Sequence, residues 1–360
     1  MRAAIMNEIG GLVSIEEVDP TAVGPTDVRV RVDATGVCHS DISAVRGYIG
    51  LVPPTIIGHE VAGTVIEVGA DVRSLRPGDR TIGSLVPVCG VCYWCVNGQT
   101  HLCAETFSVR STVRARTVSG APITAMLGLG AFAEFMTVDQ RLVVKIDSDL
   151  PAEQLALIGC GIATGAGAAL FTAGVTPGAT VVVIGCGGVG QSVIQGSRIA
   201  GAAQIIAVDP LPLKREAARR NGATHEIDPN EGDTAEQVRA LTRGRGADFA
   251  FEVVGNPRTM VAAYDSARRG GTVVTVGIPA PDARLDLSAS DFFRAEKRIV
   301  GSYYGSTQVR SGFQKFADLI GAGKFDAESL ITHRYGLGDL QDAFDDLESG
   351  ISIRGIVIPE

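Results

Sequence analysis

Four cysteines form the densest group of metal-binding side chains in the sequence, at positions 89, 92, 95 and 103. Their spacing, C-x2-C-x2-C-x7-C, provides four thiolates, which fill every position of a tetrahedral zinc ion and leave none for a substrate. A bacterial iron–sulfur run has its fourth cysteine after three residues and before a proline, unlike this one. No Lys or Arg lies between Cys89 and Cys103, so a nucleic-acid-binding zinc ribbon is not favoured. The loop at 85–103 is predicted to hold a structural zinc ion.

Three further cysteines lie outside this loop: Cys38 in GVCHSD, Cys160 in IGCGIATG and Cys186 in a glycine-rich turn. The odd total of seven cysteines argues against a disulfide framework. Cys38 and Cys160, joined by His59 in IIGHE, could bind a second zinc ion with one position left open for a substrate. Taken singly, a cysteine is usually a buried apolar residue, and a histidine is usually an ordinary surface or core residue. The residues by themselves leave both interpretations open, and Cys186 is most simply a small apolar filler.

A dinucleotide-binding motif follows the strand-like run ATVVVIG, where the turn GCGGVG at 185–190 leads into an amphipathic helical pattern. The motif G-x-G-x-x-G binds a pyrophosphate in this strand–turn–helix context. Gly185 permits the tight turn, Gly187 the approach of the pyrophosphate, and Gly190 the close packing of helix on strand. Asp209, nineteen residues after Gly190, would accept hydrogen bonds from the adenosine ribose and repel a 2′-phosphate. The motif predicts NAD rather than NADP.

The elements that must position these residues are of two kinds. The first 150 residues contain short β segments, such as 27–36, 60–69 and 131–138, punctuated by Gly, Pro and Asp, which predicts an all-β, barrel-like unit. From about Gly178, apolar runs alternate with helical patterns, which predicts a parallel sheet covered by helices. The tail from about Gly305 leaves this alternation and is expected to pack on the first unit.

The composition limits the partners. The net charge of −8 argues against binding to nucleic acid, whose affinity depends on neutralising phosphates. The N-terminal segment MRAAIMNEIGG lacks the charged and apolar regions of a signal peptide. No apolar run is interpreted as a membrane span. A cytoplasmic protein without membrane or nucleic-acid partners is expected.

Seven motifs occur in a fixed order along nearly the whole chain: GVCHSD, GHEVAGTVIEVG, the four-cysteine loop, GCGIATG, VVVIGCGGVG, AVDP and SGISIRGIV. In this order they resemble the zinc-containing medium-chain alcohol dehydrogenases. The resemblance implies an α/β plus β fold in which a GroES-like barrel catalytic domain spans 1–161. A Rossmann domain with a doubly wound parallel sheet would span 162–303 and bind NAD, and a return segment of the catalytic domain would span 304–360.

The resemblance also implies roles for individual residues. The catalytic zinc ligands would be Cys38, His59 and Cys160, and the structural ligands Cys89, Cys92, Cys95 and Cys103. Around the catalytic zinc, the implied residues are Asp41 behind the ligand histidine, Ser40 as acceptor of the alcohol proton, His39 in place of a pyrophosphate-binding Arg or His, and Glu60 paired with Arg354. The implied cofactor-binding residues are Gly185, Gly187, Gly188, Val189, Gly190, Asp209, Lys214, Thr164, Val276 and Arg354. Ser43 departs from the family, since many members end their proton relay there with a histidine.

The implied reaction is hydride transfer between a primary or secondary alcohol, or an aldehyde or ketone in reverse, and NAD, with two zinc ions per chain. Leu85, in place of a frequent aromatic residue, and the apolar loop 48–54 imply a pocket for a medium or bulky apolar alcohol. The segment 115–135 resembles the longer-loop class of the family, which includes liver-type enzymes and thiol-dependent formaldehyde dehydrogenases, and SYYGS at 302–306 resembles mycothiol-dependent relatives. Oxidation of an S-(hydroxymethyl)thiol of mycothiol type is therefore an alternative. A catalytically silent zinc- and nucleotide-binding protein is the alternative of another class. A homodimer is expected, with a tetramer as the alternative.

Overall fold

The computed structural model describes residues 1–359. Its strands are β1 (Arg2–Met6), β2 (Val13–Pro20), β3 (Asp27–Val37), β4 (Thr55–Ile56), β5 (Glu60–Val68), β6 (Arg80–Gly83), β7 (Val113–Thr117), β8 (Pro122–Ala125), β9 (Phe135–Asp139), β10 (Val143–Lys145), β11 (Thr180–Ile184), β12 (Gln204–Val208), β13 (His225–Ile227), β14 (Ala247–Glu252), β15 (Ala267–Thr275), β16 (Arg298–Gly301), β17 (Ile331–Gly336) and β18 (Arg354–Ile358). Its α-helices are α1 (His39–Val45), α2 (Tyr93–Val96), α3 (Ala152–Leu157), α4 (Ala163–Gly167), α5 (Gly188–Ile199), α6 (Pro212–Asn221), α7 (Thr234–Leu241), α8 (Pro257–Ser266), α9 (Ala289–Ala295), α10 (Val309–Gly321) and α11 (Leu340–Ser349).

The chain forms two compact units. The first contains Met1–Gly161, Gln308–Gly323 and the stretch from Ile331 onward, and the second contains Ile162–Thr307 and Lys324–Leu330. The expected return segment, 304–360, therefore differs from the structure at 304–307 and 324–330. Hydrogen bonds within the second unit account for the difference. The hydroxyl of Thr307 donates to the carbonyl of Ala163 at 3.1 Å, and the Gln195 amide exchanges two hydrogen bonds with the backbone of Asp326.

The first unit combines a closed barrel, β1-β2-β7-β8-β4, with a sheet in the order β10-β6-β5-β3-β18-β17, in which β9 also pairs with β3. Strand β3 alternates buried valines with more exposed residues, so one face of the sheet joins the core. Its antiparallel partner β5 places Gly36 opposite Glu60, and β18 places Gly355 opposite Val37. This register brings the chain after β3, the chain before β5 and the start of β18 to one place.

The second unit has an entirely parallel sheet in the order β13-β12-β11-β14-β15-β16. Strand β11 is buried on both faces: Val181 and Val183 belong to one apolar cluster, and Val182 and Ile184 to the other. Such two-sided burial is typical of a sheet covered by helices. The order reverses between β11 and β14, as in the doubly wound Rossmann fold. The predicted α/β plus β fold class is confirmed.

One helical run, Ala152–Thr172, has the length and composition of a membrane span, with a mean hydropathy of 1.8 over its most apolar window. The sequence analysis did not interpret this run as a membrane span. Of that window, 78% is buried inside the protein, as is usual for a core helix. The run also contains a π-helical stretch, Ile158–Ile162, and Cys160 lies in it.

Candidate active site

Four potential metal ligands converge in the first unit: the ligand atoms of Cys38, His59, Glu60 and Cys160 all lie within 4.8 Å of one another. All four residues are buried. Cys38 follows β3 and caps the N-terminus of α1, whereas His59 directly precedes β5. The pairing of β3 with β5 brings Cys38 and His59 together. Cys160 lies in the π-helical stretch directly after α3, and α3 packs against both strands.

The carboxylate of Asp41, which is fully buried, orients two of these ligands. Its Oδ1 lies 2.7 Å from Nδ1 of His59, and its Oδ2 accepts the backbone N–H of Cys38 at 3.0 Å. A carboxylate at Nδ1 places the imidazole proton there and leaves the Nε2 lone pair free. That Nε2 is buried and has no hydrogen-bond partner among the described residues. An unpartnered imidazole nitrogen beside two thiols is the donor set of a zinc site.

Glu60 and Arg354 form a buried pair beside these ligands, with 3.5 Å between Oε1 and Nη2. The guanidinium also donates from Nη1 to the Val37 carbonyl at 3.2 Å. Burial raises the pKa of Glu60 to about 7, although the positive charge of Arg354 opposes this rise. The thiol of Cys38 has a lowered pKa, because it accepts a hydrogen bond from Cys160 and lies near Arg354 and His59. A lowered thiol pKa favours the thiolate, which is the form that binds metals.

Two glycines that the sequence analysis did not assign make room for this pair. A Cβ at Gly36 would lie 2.3 Å from Oε2 of Glu60, and a Cβ at Gly161 would lie 2.8 Å from Nη2 of Arg354. Both glycines adjoin motifs that carry a zinc ligand, TGVCHSD and GCGIATG. Their place beside the zinc ligands could have marked these glycines as site residues. Their contacts with Glu60 and Arg354, however, depend on tertiary packing.

The residues assigned to proton transfer lie on α1, and the pocket residue lies on a loop. Ser40 and Ser43 are half-buried on α1, one turn apart, and His39 at its first position is exposed. Leu85 is half-buried and packs against the same apolar cluster as Ile49 and Leu51. All three apolar side chains therefore pack against the same core cluster of the first unit.

The cysteine loop brings its four sulfur atoms within 4.8 Å of one another. The backbone N–H of Cys92 donates to Sγ of Cys89 at 3.4 Å, and the N–H of Cys89 donates to Sγ of Cys103 at 3.5 Å. Backbone N–H groups of Ala104 and Cys95 lower the pKa of Cys92 to about 6. Four thiols with such donors fit a closed zinc site with no open coordination position.

The glycine turn of the second unit has the geometry that its motif requires. Gly185 adopts a φ of +95°, which favours glycine. A Cβ at Gly190 would lie 1.9 Å from the Gly185 carbonyl, so helix α5 packs directly on the turn. A Cβ at Gly187 would meet nothing within 4 Å. The backbone at Gly187, just before α5 begins at Gly188, is open to a ligand at a helix N-terminus.

Asp209 follows β12 and is nearly buried, with 5% of its surface exposed. Its Oδ2 accepts the backbone N–H of Cys186 at 2.8 Å, and its Oδ1 accepts that of Leu211 at 2.9 Å. The carbonyl of Cys186 accepts a hydrogen bond from Nε2 of Gln191 at 2.8 Å. The sequence analysis missed Gln191, because a single glutamine in a helix gives no signal. The Cys186 peptide is therefore held on both sides.

The other residues assigned to the cofactor lie on several elements. In the second unit, Thr164 is half-buried on α4, and Lys214 is half-buried on α6. Val189, in the first turn of α5, and Val276, just after β15, pack in the same apolar cluster. Arg354 lies in the first unit, at the start of β18.

Comparisons with known proteins agree with this geometry. Residues 24–148 match the family model of the alcohol dehydrogenase GroES-like domain, and residues 188–322 match that of the zinc-binding dehydrogenases. The chain is 35% identical to the NDMA-dependent alcohol dehydrogenase of Amycolatopsis methanolica, over 99% of this chain and 98% of the relative.

Two solved structures extend the agreement to three dimensions. An alcohol dehydrogenase zinc-binding domain protein from Burkholderia ambifaria has a TM-score of 0.94 and 31% identity, covering 99% of this chain and 98% of its own. The benzyl alcohol dehydrogenase of Acinetobacter calcoaceticus has a TM-score of 0.93 and 28% identity, covering 100% and 99%. The chain belongs to the zinc-containing medium-chain alcohol dehydrogenase family, and it is an enzyme.

Proposed function

We propose that this enzyme transfers a hydride between a primary or secondary alcohol and NAD, with one zinc ion at Cys38, His59 and Cys160. The unpartnered, buried Nε2 of His59 beside two thiols carries this proposal. A zinc ion held there would supply Lewis acidity, which lowers the pKa of an alcohol and polarises a carbonyl group. A second zinc ion, held by the four-cysteine loop, would stabilise that loop.

The chain's own residues divide the remaining work. Asp41 fixes the imidazole of His59 in one tautomer, and Arg354 offsets the charge of Glu60 in a buried setting. The Oγ of Ser40, two residues after a ligand cysteine, would receive the alcohol proton and pass it on. NAD, when bound, supplies the acceptor for the hydride.

The preference for NAD rests on Asp209. Its carboxylate lies at the carboxyl end of β12, where the adenosine ribose of a dinucleotide binds in this fold, and a negative charge there disfavours a 2′-phosphate. Both oxygens accept backbone N–H groups. Each carboxylate oxygen nevertheless has a second lone pair for a ribose hydroxyl.

An apolar alcohol is the proposed substrate class. Leu85 packs against the same apolar cluster as Ile49 and Leu51. A structural neighbour at 28% identity is a benzyl alcohol dehydrogenase, which supports aromatic alcohols as the first compounds to test. A cytoplasmic location and small-molecule partners complete the proposal.

A homodimer is the proposed assembly. Strand β16 is the last strand of the parallel sheet. Ile278 and Phe293, which precede it in the chain, are 76% and 81% exposed. Sheet edges and exposed apolar side chains are common sites of pairing. Light scattering of the purified protein distinguishes a dimer from a monomer or tetramer.

The decisive experiment combines metal analysis with a substrate screen. Wild-type enzyme is expected to contain two zinc ions per chain and to reduce NAD with aliphatic or aromatic alcohols, whereas His59→Ala should retain one zinc ion and lose activity. The screen is repeated with NDMA, because one relative is named NDMA-dependent, and with formaldehyde plus mycothiol or glutathione. Turnover restricted to the thiol adduct would favour the alternative substrate. Full activity in His59→Ala, or in metal-free protein, would contradict the proposed site.

A further inference from the structure

The carboxyl ends of β11 and β14 lie side by side at the point where the strand order reverses. Their register pairs Ile184 with Glu252, so the chain leaves both strands at the same level. The glycine turn leaves β11, and residues 253–256 leave β14. Ligands of open α/β sheets bind in the crevice at such a reversal. Residues 253–256 are therefore the wall that faces the glycine turn.

Contacts between the two segments are direct. The N–H of Val253 donates to the carbonyl of Ile184 at 2.9 Å. A Cβ at Gly185 would lie 2.7 Å from Cγ2 of Val254, so the Val254 side chain rests against the first glycine of the turn. Val254 is also 53% exposed, which leaves part of this side chain accessible at the crevice.

A single buried carboxylate organises this wall. Oε1 of Glu252 accepts the backbone N–H groups of Val254 and Gly255 at 2.9 and 2.7 Å. The same atom accepts the hydroxyl of Thr259 at 2.7 Å and makes a longer contact with the N–H of Asn256 at 3.4 Å. Glu252 is fully buried. Helix α8 begins at Pro257, so the negative charge also lies at the favourable end of a helix dipole.

The backbone of Glu252 also binds a second segment, the turn after β15. Its carbonyl accepts the N–H groups of Val276 and Gly277 at 2.8 and 3.1 Å. A Cβ at Gly277 would lie 2.0 Å from the nitrogen of Gly255, so the chains after β14 and β15 are in backbone contact. Displacing the segment after β14 would therefore disturb Val276, which was assigned to the cofactor.

We propose that Glu252 is a positioning residue for the dinucleotide: it holds residues 253–256 and the turn at Val276 in the conformation that receives the cofactor. The proposal rests on the proposed use of NAD. The carboxylate acts through backbone N–H groups and need not touch the ligand. Ordering a loop before binding removes an entropic cost from the binding step, so loss of this carboxylate should weaken cofactor binding more than turnover.

The test measures NAD affinity by calorimetry and amide hydrogen exchange of the cofactor-free enzyme. Glu252→Ala should weaken NAD binding roughly 10- to 100-fold, because it removes several hydrogen bonds to a charged acceptor. Exchange should rise at residues 253–259 and 276–277 alone, and the KM for NAD should rise with kcat largely kept. Glu252→Gln retains an acceptor oxygen and should bind NAD within about threefold of wild type. Asp233→Ala removes the carboxylate that caps α7 in the same unit and serves as the matched control.

Thr259→Val removes one of the hydrogen bonds and should give a smaller change of the same kind; it decides the question if Glu252→Ala does not fold. Wild-type NAD affinity and wild-type exchange in the folded variants would overturn the proposal. Equal weakening in Asp233→Ala would also overturn it, because general destabilisation would then suffice. Failure of the wild type to bind NAD would instead contradict the proposed cofactor, while the exchange data would still test the loop.

Discussion

Oδ1 of Asp41 lies 2.7 Å from Nδ1 of His59, and both side chains are buried. Because the other oxygen of Asp41 accepts the N–H of Cys38, one carboxylate connects the start of α1 with the residue before β5. This connection fixes the direction of the His59 Nε2 lone pair toward the thiols of Cys38 and Cys160. The proposed metal site therefore depends on a residue that would not itself bind the metal.

Asp41→Asn should weaken zinc binding at this site about 10- to 100-fold, the usual effect of losing a carboxylate behind a ligand histidine. Competition with a chromogenic chelator measures the affinity, and the zinc of the cysteine loop serves as an internal reference. Asp33→Asn is the control, because Asp33 pairs with Arg31 at the surface of β3. Unchanged zinc affinity in Asp41→Asn would show that the orientation of His59 does not depend on this pair.

Cys89→Ser should lower the free energy of unfolding strongly, whereas the molecules that do fold should keep most of their turnover. A structural zinc site couples about 10 kcal/mol or more of binding free energy to folding, so even partial loss should exceed the roughly 0.5–3 kcal/mol of a common substitution. Denaturant unfolding and the metal content measure the effect. Val91→Ser changes an exposed residue of the same loop and should alter neither. A stable Cys89→Ser protein that lacks turnover would assign a catalytic role to this zinc.

Two substitutions of Asp209 separate its charge from its hydrogen bond to the glycine turn. Asp209→Asn keeps an oxygen for the N–H of Cys186 but removes the charge, so it should narrow the preference for NAD over NADP with a modest loss of NAD affinity. Asp209→Gly also releases the Cys186 peptide and should weaken NAD binding about tenfold or more. Dissociation constants for both dinucleotides measure the two effects. A wild-type enzyme that prefers NADP would contradict the assignment of Asp209.

Gly305→Ala should strongly destabilise the second unit. Gly305 has a φ of +63°, and a Cβ there would lie 2.1 Å from the Ala163 carbonyl. The left-handed conformation costs about 1–2 kcal/mol and the overpacking about 1–3 kcal/mol more. Gly174→Ala is the matched control, since its φ of +59° is similar and a Cβ would meet nothing within 4 Å. Thermal unfolding of both variants isolates the clash, and equal loss of stability would mean that the backbone at 305 yields.

The sequence predicted the components whose chemistry depends on local patterns. The cysteine loop follows from four thiols at close spacing, and the glycine turn follows from its strand–turn–helix context. The resemblance to a family then joined Cys38, His59 and Cys160, which no local pattern could join, because Cys160 is 122 residues from Cys38. Residue type alone left each of them a plausible core residue.

Tertiary contacts decided what the sequence could not predict. Residues 324–330 belong to the second unit because Gln195 of α5 bonds the backbone of Asp326, and a glutamine in a helix gives no sign of its partner. Glu252 resembles any acid at the end of a strand until its bonds to Val254 and Gly255 are seen.

The last prediction concerns the two serines on α1. Ser40→Ala should lower turnover on the order of 10²–10⁴-fold, the range for a positioned proton-transfer group. Ser43→Ala should cost little, because a serine has no pKa near neutrality: it can relay a proton, as proposed for Ser40, but it cannot keep the proton as the base that ends the relay. Ser43→His should extend alcohol oxidation to lower pH, since an imidazole with a pKa near roughly 6.5 is neutral and able to accept a proton above that pH. The kcat of each variant is measured against pH at saturating NAD and alcohol. Near-normal turnover in Ser40→Ala, or a loss in Ser43→Ala as large as in Ser40→Ala, would show that the proton leaves by another route.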